Sequence, residues 1–173
     1  MQNSKLLYHG SLESVKKVDL NKCKPWKDFG RGFYLTDDLN QAIKFAKQKK
    51  EKSSKENVVP CVSVFKYTYD KNIKVCEFEN ADEDWFNTII GFRKQGDDFK
   101  LKNFDIVIGK IADDSTRLVL DVALNNTYGD LNDPNVQKFI INLLEVDRLK
   151  TQYCFKTEIA IKQLEYVETK FYK

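Results

Sequence analysis

The chain has 173 residues and a mass of 20.3 kDa, one domain's worth of sequence, enough to bury roughly 70% of its unfolded surface around a single core. Hydrophobic residues at 42%, aromatic at 13% and charged at 32% exclude a disordered tail, and no apolar run approaches the ~18 residues of a membrane span. A net charge of +3, from 29 basic and 26 acidic residues, singles out neither a nucleic-acid nor a membrane partner.

The cysteines Cys23, Cys61, Cys76 and Cys154 are dispersed and form no Cys-x-x-Cys pair, so they read as free thiols. One histidine, His9, excludes zinc sites that need two or three His ligands. The start, Met1 to Tyr8, lacks the basic flank, apolar stretch and cleavage site of a secretory signal, and a cytoplasmic protein is expected. With no internal repeat, no Gly/Ser linker and three prolines, residues 1–173 are expected to form a single domain.

Along the chain, residues 5–9 predict a short first strand ending at Gly10-Ser11. Leu39, Ala42, Ile43 and Ala46 recur at spacings of three and four, which predicts an amphipathic helix over 38–50. The Lys-rich stretch 47–55 reads as its solvated end and the loop beyond. Val58 to Tyr69 and Ile73 to Phe78 are rich in β-branched and aromatic residues and predict two strands. Residues 81–94 open with acids and close with bases, as a helix macrodipole favours.

Phe104-Asp-Ile-Val-Ile-Gly predicts a buried strand, followed by helices near 114–125 and 134–145, the second with Pro134 in its first turn. The chain then reads as strand (Leu149 to Phe155), short helix capped by Thr157 (Glu158 to Gln163) and strand (Leu164 to Thr169). Because strands and helices do not alternate regularly, an α+β fold is expected and not a doubly wound sheet.

Phosphate-cradling Gly-x-x-x-x-Gly-Lys-[Ser/Thr], Gly-x-Gly-x-x-Gly and the hydrolase elbow Gly-x-Ser-x-Gly are all absent. Two other segments stand out. Tyr8-His9-Gly10-Ser11 ends the first strand, and Asp28-Phe-Gly-Arg-Gly-Phe-Tyr34-Leu-Thr36 precedes the first helix, and together they hold three of the seven glycines. Glycines let backbone approach a ligand, while His, Ser and Tyr supply donors, an acceptor and a flat ring. Taken singly, each has an ordinary structural reading: a satisfied histidine at a strand end, a plain turn at Gly30 and Gly32, a core aromatic at Tyr34.

In combination, Tyr-His-Gly-Ser, then Phe-Gly-Arg-Gly-Phe-Tyr-Leu-Thr-Asp, then a helix carrying Phe45 resembles the NAD-binding half of ADP-ribosyltransferases of the diphtheria-toxin and poly-ADP-ribose polymerase branch. That branch is marked by His, Tyr and a third residue, usually Glu, on successive strands. Gln152, within Lys150-Thr-Gln-Tyr-Cys-Phe155, stands at the matching third position. Over about residues 6–168 the chain also resembles a bacterial family of unknown function, family 3990, that is grouped with these transferases. The shared segments there are Phe29 to Thr36, Phe104 to Asp114 and Gln152 to Glu158.

The resemblance implies a split antiparallel or mixed β-sheet core with flanking helices. It also implies NAD as co-substrate, no metal, and mono-ADP-ribosyl transfer to a protein or nucleic-acid acceptor. His9 would hold the adenosine-side ribose, Gly10 and Ser11 the nicotinamide carboxamide, and Tyr34 would stack on the nicotinamide ring. Phe45 matches a second stacking aromatic, and is equally a helical core position. Arg31 and Gly32 would lie along the dinucleotide, Arg31 reaching a phosphate or standing as a solvated loop arginine.

Gln152 keeps the hydrogen bond of the usual Glu and loses its charge, which disfavours chain elongation and leaves single transfer. The alternatives are a module that binds NAD or ADP-ribose with little turnover, and an RNA 2′-phosphotransferase-like enzyme. By analogy alone, the protein would be a toxin or defence component restrained by an antitoxin- or immunity-type partner. Asp113-Asp114 reads as a helix start, Asp97-Asp98 as a turn, and Glu158 as a first-turn acid or a group near the acceptor.

Overall fold

Short polar side chains set the helix starts. Asp38 accepts from the Gln41 amide at the head of α1 (Leu39–Glu51), and Asp82 accepts from Trp85 at the head of α2 (Glu83–Gln95). α3 spans Asp114–Leu124; Asp133 caps α4 (Pro134–Leu143), whose proline stands where no backbone N–H is needed. Thr157 caps the short α5 (Glu158–Ile161). Each cap satisfies an amide that the helix itself leaves without a partner. The structure, a computed structural model, describes residues 4–99, 101, 103–110, 114–145 and 149–173; Asp113 of the expected acidic pair lies outside them.

The strands are β1 (Ser4–Ser11), β2 (Phe33–Thr36), β3 (Cys61–Thr68), β4 (Val75–Glu77), β5 (Ile106–Lys110), β6 (Thr151–Phe155) and β7 (Leu164–Phe171). They form one seven-stranded sheet in the order β4-β5-β6-β2-β1-β3-β7. Only β4 and β5 run parallel, so the sheet is mixed and the α+β expectation holds. Among the described residues no helix is long and apolar enough to cross a membrane.

Alternation along the strands builds two cores, one on each face. Val107 and Cys154 join Trp85, Phe86, Ile89, Leu120 and Ile140 beneath α2, α3 and α4. On the other face Leu7, Phe33, Leu35, Phe65, Ile106, Ile108, Tyr153 and Phe155 pack together, with Val15, Val18 and Leu20 of the long β1–β2 connection against them. The apolar run of β5 is thus explained: its strand is buried on both sides.

The joins within the sheet are unequal. β1 pairs with β3 along its whole length, from Ser4↔Thr68 to Ser11↔Cys61, but meets β2 at a single registered pair, Tyr8↔Thr36. Three strands on one side of that join (β1, β3, β7) and four on the other are held together there by one pair.

Observed boundaries differ from the sequence expectation for local reasons. The strand expected from Val58 begins at Cys61, past Pro60, which has no N–H for a ladder. The strand expected from Ile73 begins at Val75, because Asp70 holds the Asn72 and Ile73 amides in a turn. Periodicity did not announce β2, which is four residues long and follows two glycines.

Candidate functional site

Three strands that adjoin in the sheet, β1, β2 and β6, carry His9, Tyr34 and Gln152. Register aligns Tyr8, Thr36 and Gln152 in one row across them, with Tyr34 opposite Cys154 two residues further along. Residues from the two ends of the sequence therefore meet at the narrow join. Alternation places Tyr34 and Gln152 on the face of α2, whereas His9 follows Leu7 onto the other face, its ring 4.5 Å from that of Phe33. A ligand that touches all three must lie where β1 and β2 part.

His9 reaches across the join. Its Nδ1 lies 2.7 Å from the Tyr34 carbonyl oxygen, and because a carbonyl only accepts, Nδ1 carries the proton. Burial, reinforced by the nearby charge of Lys49, pushes the imidazole pKa down to about 4, although the bond to Tyr34 works in the opposite sense. At neutral pH the ring is uncharged and Nε2 is an acceptor.

Gly10 follows in β1, where a β-carbon would collide with the Ala42 carbonyl oxygen of α1. The Gly10 carbonyl accepts from Lys49 Nζ at 3.1 Å, and that ammonium stands 4.6 Å from the centroid of the Phe45 ring. Burial and the charge of Lys27 lower Lys49 to about 8. Phe45 is 45% exposed, so of its two readings the core position is corrected: its helix turns it outward from the sheet.

Tyr34 is fixed at its hydroxyl, which accepts from the Phe29 amide at 3.0 Å and donates to the Gly30 carbonyl at 2.7 Å. Gly30 has φ of 75°, a conformation that side chains disfavour, so the 28–31 turn depends on glycine there. Burial drives the phenol pKa well above its ordinary value. Lys156 closes the turn from the other side, donating to the carbonyls of Phe29 and Arg31. A β-carbon on Gly32 would strike Cys154 Sγ on β6. The glycines of this segment thus serve strand packing and the turn.

Gln152 is 6% exposed, and its Nε2 donates to Asp28 Oδ2 and to the Lys110 carbonyl, each at 3.1 Å. Asp28 in turn receives Arg93 through Nε at 3.1 Å and Nη2 at 2.7 Å, both on Oδ1. Sequence reading missed Asp28, Arg93 and Lys49, since their partners lie far away along the chain.

Two further expected ligand contacts are, like the Gly10 carbonyl, occupied within the protein. The Ser11 hydroxyl is buried and donates to the Glu13 carbonyl. Arg31 pairs with Asp97 at 3.0 Å and donates to the Cys23 carbonyl. Asp97 belongs to a short 3-10 turn after α2, and Glu158 lies in the first turn of α5.

Two recesses lie elsewhere. One of about 690 Å³ is bounded by α2 and the 126–132 connection, and one of about 340 Å³ opens between Arg31 and Lys156. Neither is lined by His9, Tyr34 or Gln152.

No curated protein and no solved structure matches the chain. Residues 5–166 match the model of a family described as protein of unknown function (DUF3990), and the chain belongs to that family.

Proposed function

We propose that this protein is an NAD-dependent mono-ADP-ribosyltransferase with a sheet of the kind that divides at the NAD site. The observation that carries the reading is the meeting of His9, Tyr34 and Gln152 on adjacent strands at a join of one residue pair, with His9 bonded to the Tyr34 backbone. Strands that part beyond a single pair leave an opening, and a neutral imidazole with Nε2 as acceptor suits a ribose hydroxyl there. The exposed face of Phe45, beside the Gly10 carbonyl through Lys49, suits a planar pyridinium.

In the reaction, the bond between the ribose anomeric carbon and the nicotinamide nitrogen breaks, and its electron pair leaves with nicotinamide. A nucleophile of the acceptor forms the new bond to that carbon and releases a proton. Such a step needs the ribose held and the dinucleotide bent so that the carbon is open to attack. His9 and Gln152 would hold the two riboses, and Tyr34 and Phe45 the nicotinamide. Ser11 and Arg31 would join only by leaving Glu13 and Asp97. The acceptor is a protein or nucleic acid in the cytoplasm, and an antitoxin- or immunity-type partner would restrain the activity.

Purified protein incubated with NAD and cell lysate tests this by release of nicotinamide and transfer of labelled ADP-ribose. Loss of both in His9→Ala, Tyr34→Ala and Gln152→Ala is the expected result. NAD binding without release or transfer would instead make the protein a binding module, and no NAD binding would overturn the reading.

A further inference from the structure

An isolated glutamine side chain is nearly symmetric in shape, and its neighbours decide which end meets a ligand. At Gln152 both side-chain partners are acceptors: the Asp28 carboxylate and the Lys110 carbonyl. Among the described residues its side-chain hydrogen bonds are made through Nε2 alone, so the amide is turned with its two N–H groups inward and Oε1 the other way.

Asp28 is itself fixed. Arg93 places two donors on Oδ1, leaving Oδ2 directed at Gln152, and Arg93 is braced by Asp121 at 3.6 Å. The side chains of Asp28 and Arg93 are only 12% and 14% exposed, so solvent competes weakly. The Tyr34 hydroxyl and the Lys156 ammonium bond to the backbone of the residues that follow Asp28 and hold them. Tyr34 and Gln152, on different strands, are therefore referred to one turn.

We propose that Asp28, held by Arg93, is the positioning residue for Gln152: it orients the amide so that Oε1 is presented to the ribose. This rests on the transferase reading above. It accounts for glutamine at 152 in this chain, because a glutamate there would set one carboxylate against another and against the Lys110 carbonyl. The charge stands one residue further back, on Asp28, and position 152 is neutral to match it.

The test compares NAD cleavage by wild type, Asp28→Asn, Gln152→Glu and the double variant Asp28→Asn/Gln152→Glu, with thermal melting of each. In Asp28→Asn the amide at 152 is free to turn over, and kcat falls about tenfold or more while KM for NAD stays within about twofold. Gln152→Glu also loses activity, because like charges meet. The double variant, in which the amide and the carboxylate exchange places, regains at least about tenfold over either single variant, a rescue that a merely structural role would not produce. Unchanged kcat in folded Asp28→Asn, or a folded double variant no better than the singles, overturns the role of Asp28 and leaves the transferase reading standing. Wild type that neither binds nor cleaves NAD overturns both.

Discussion

The Nδ1 of His9 sits 2.7 Å from the backbone carbonyl oxygen of Tyr34, at the point where β1 and β2 cease to pair. A side chain thus continues a connection that the backbone ladder drops. The tautomer and the ring plane are set by the neighbouring strand, and the site's only imidazole is locked before any ligand arrives.

That contact has a pH signature. His9 titrates near 6.5 when unfolded and at about 4 when folded, so between these values the unfolded chain binds a proton that the folded one refuses. Its contribution to stability is therefore complete above pH 6.5 and is lost as the pH falls to about 4. Thermal melts of wild type should decline across that window, and His9→Gln should decline less. Lys49→Met, which removes a nearby like charge, should raise the His9 pKa in an NMR titration; an unmoved value would show that Lys49 does not act on it.

Removing one oxygen from Tyr34 tests the turn. Tyr34→Phe keeps the ring but leaves the Phe29 amide and the Gly30 carbonyl without their partner. The expected loss is about 1–3 kcal/mol in denaturant unfolding, with faster hydrogen exchange at Phe29. Unchanged exchange at that amide would mean that Lys156 holds the turn alone.

At Gly10 the constraint is steric. Gly10→Ala places a methyl group against the Ala42 carbonyl and lifts α1 from the sheet. A loss of about 1–3 kcal/mol is expected, measured by urea unfolding. Stability equal to wild type would show that α1 can shift without cost.

Phe45 separates binding from folding. Because its ring is 45% exposed, Phe45→Ala should change stability by less than about 1 kcal/mol, the loss of the Lys49 contact included. In calorimetry it should weaken NAD binding about three- to tenfold, as expected for a lost aromatic stack. Equal affinity for NAD would remove Phe45 from the site.

Much of the fold was legible because burial imposes a period. Leu39, Ala42, Ile43 and Ala46 marked α1, and the apolar run from Phe104 marked β5, near to where both are found. Of the candidate site, the sequence showed which residue types were unusual and in what order they came. It did not show β2 by pattern, since four residues after two glycines are too few to display a period. Nor did it show that Asp28 faces Gln152 or that Arg31 is spent on Asp97, because such pairings depend on sheet order and not on local spacing.

The position of β6 also has a consequence in time. It lies between β5 and β2 in the sheet, yet it is drawn from residues 151–155. Until that segment leaves the ribosome, β2 is tied to the rest by one residue pair and β5 has only β4 beside it. Pairings so distant along the chain form late and slowly. The strand that joins β5 to β2 is also the one that delivers Gln152, so closure of that half of the sheet and arrival of the site's third residue are a single event.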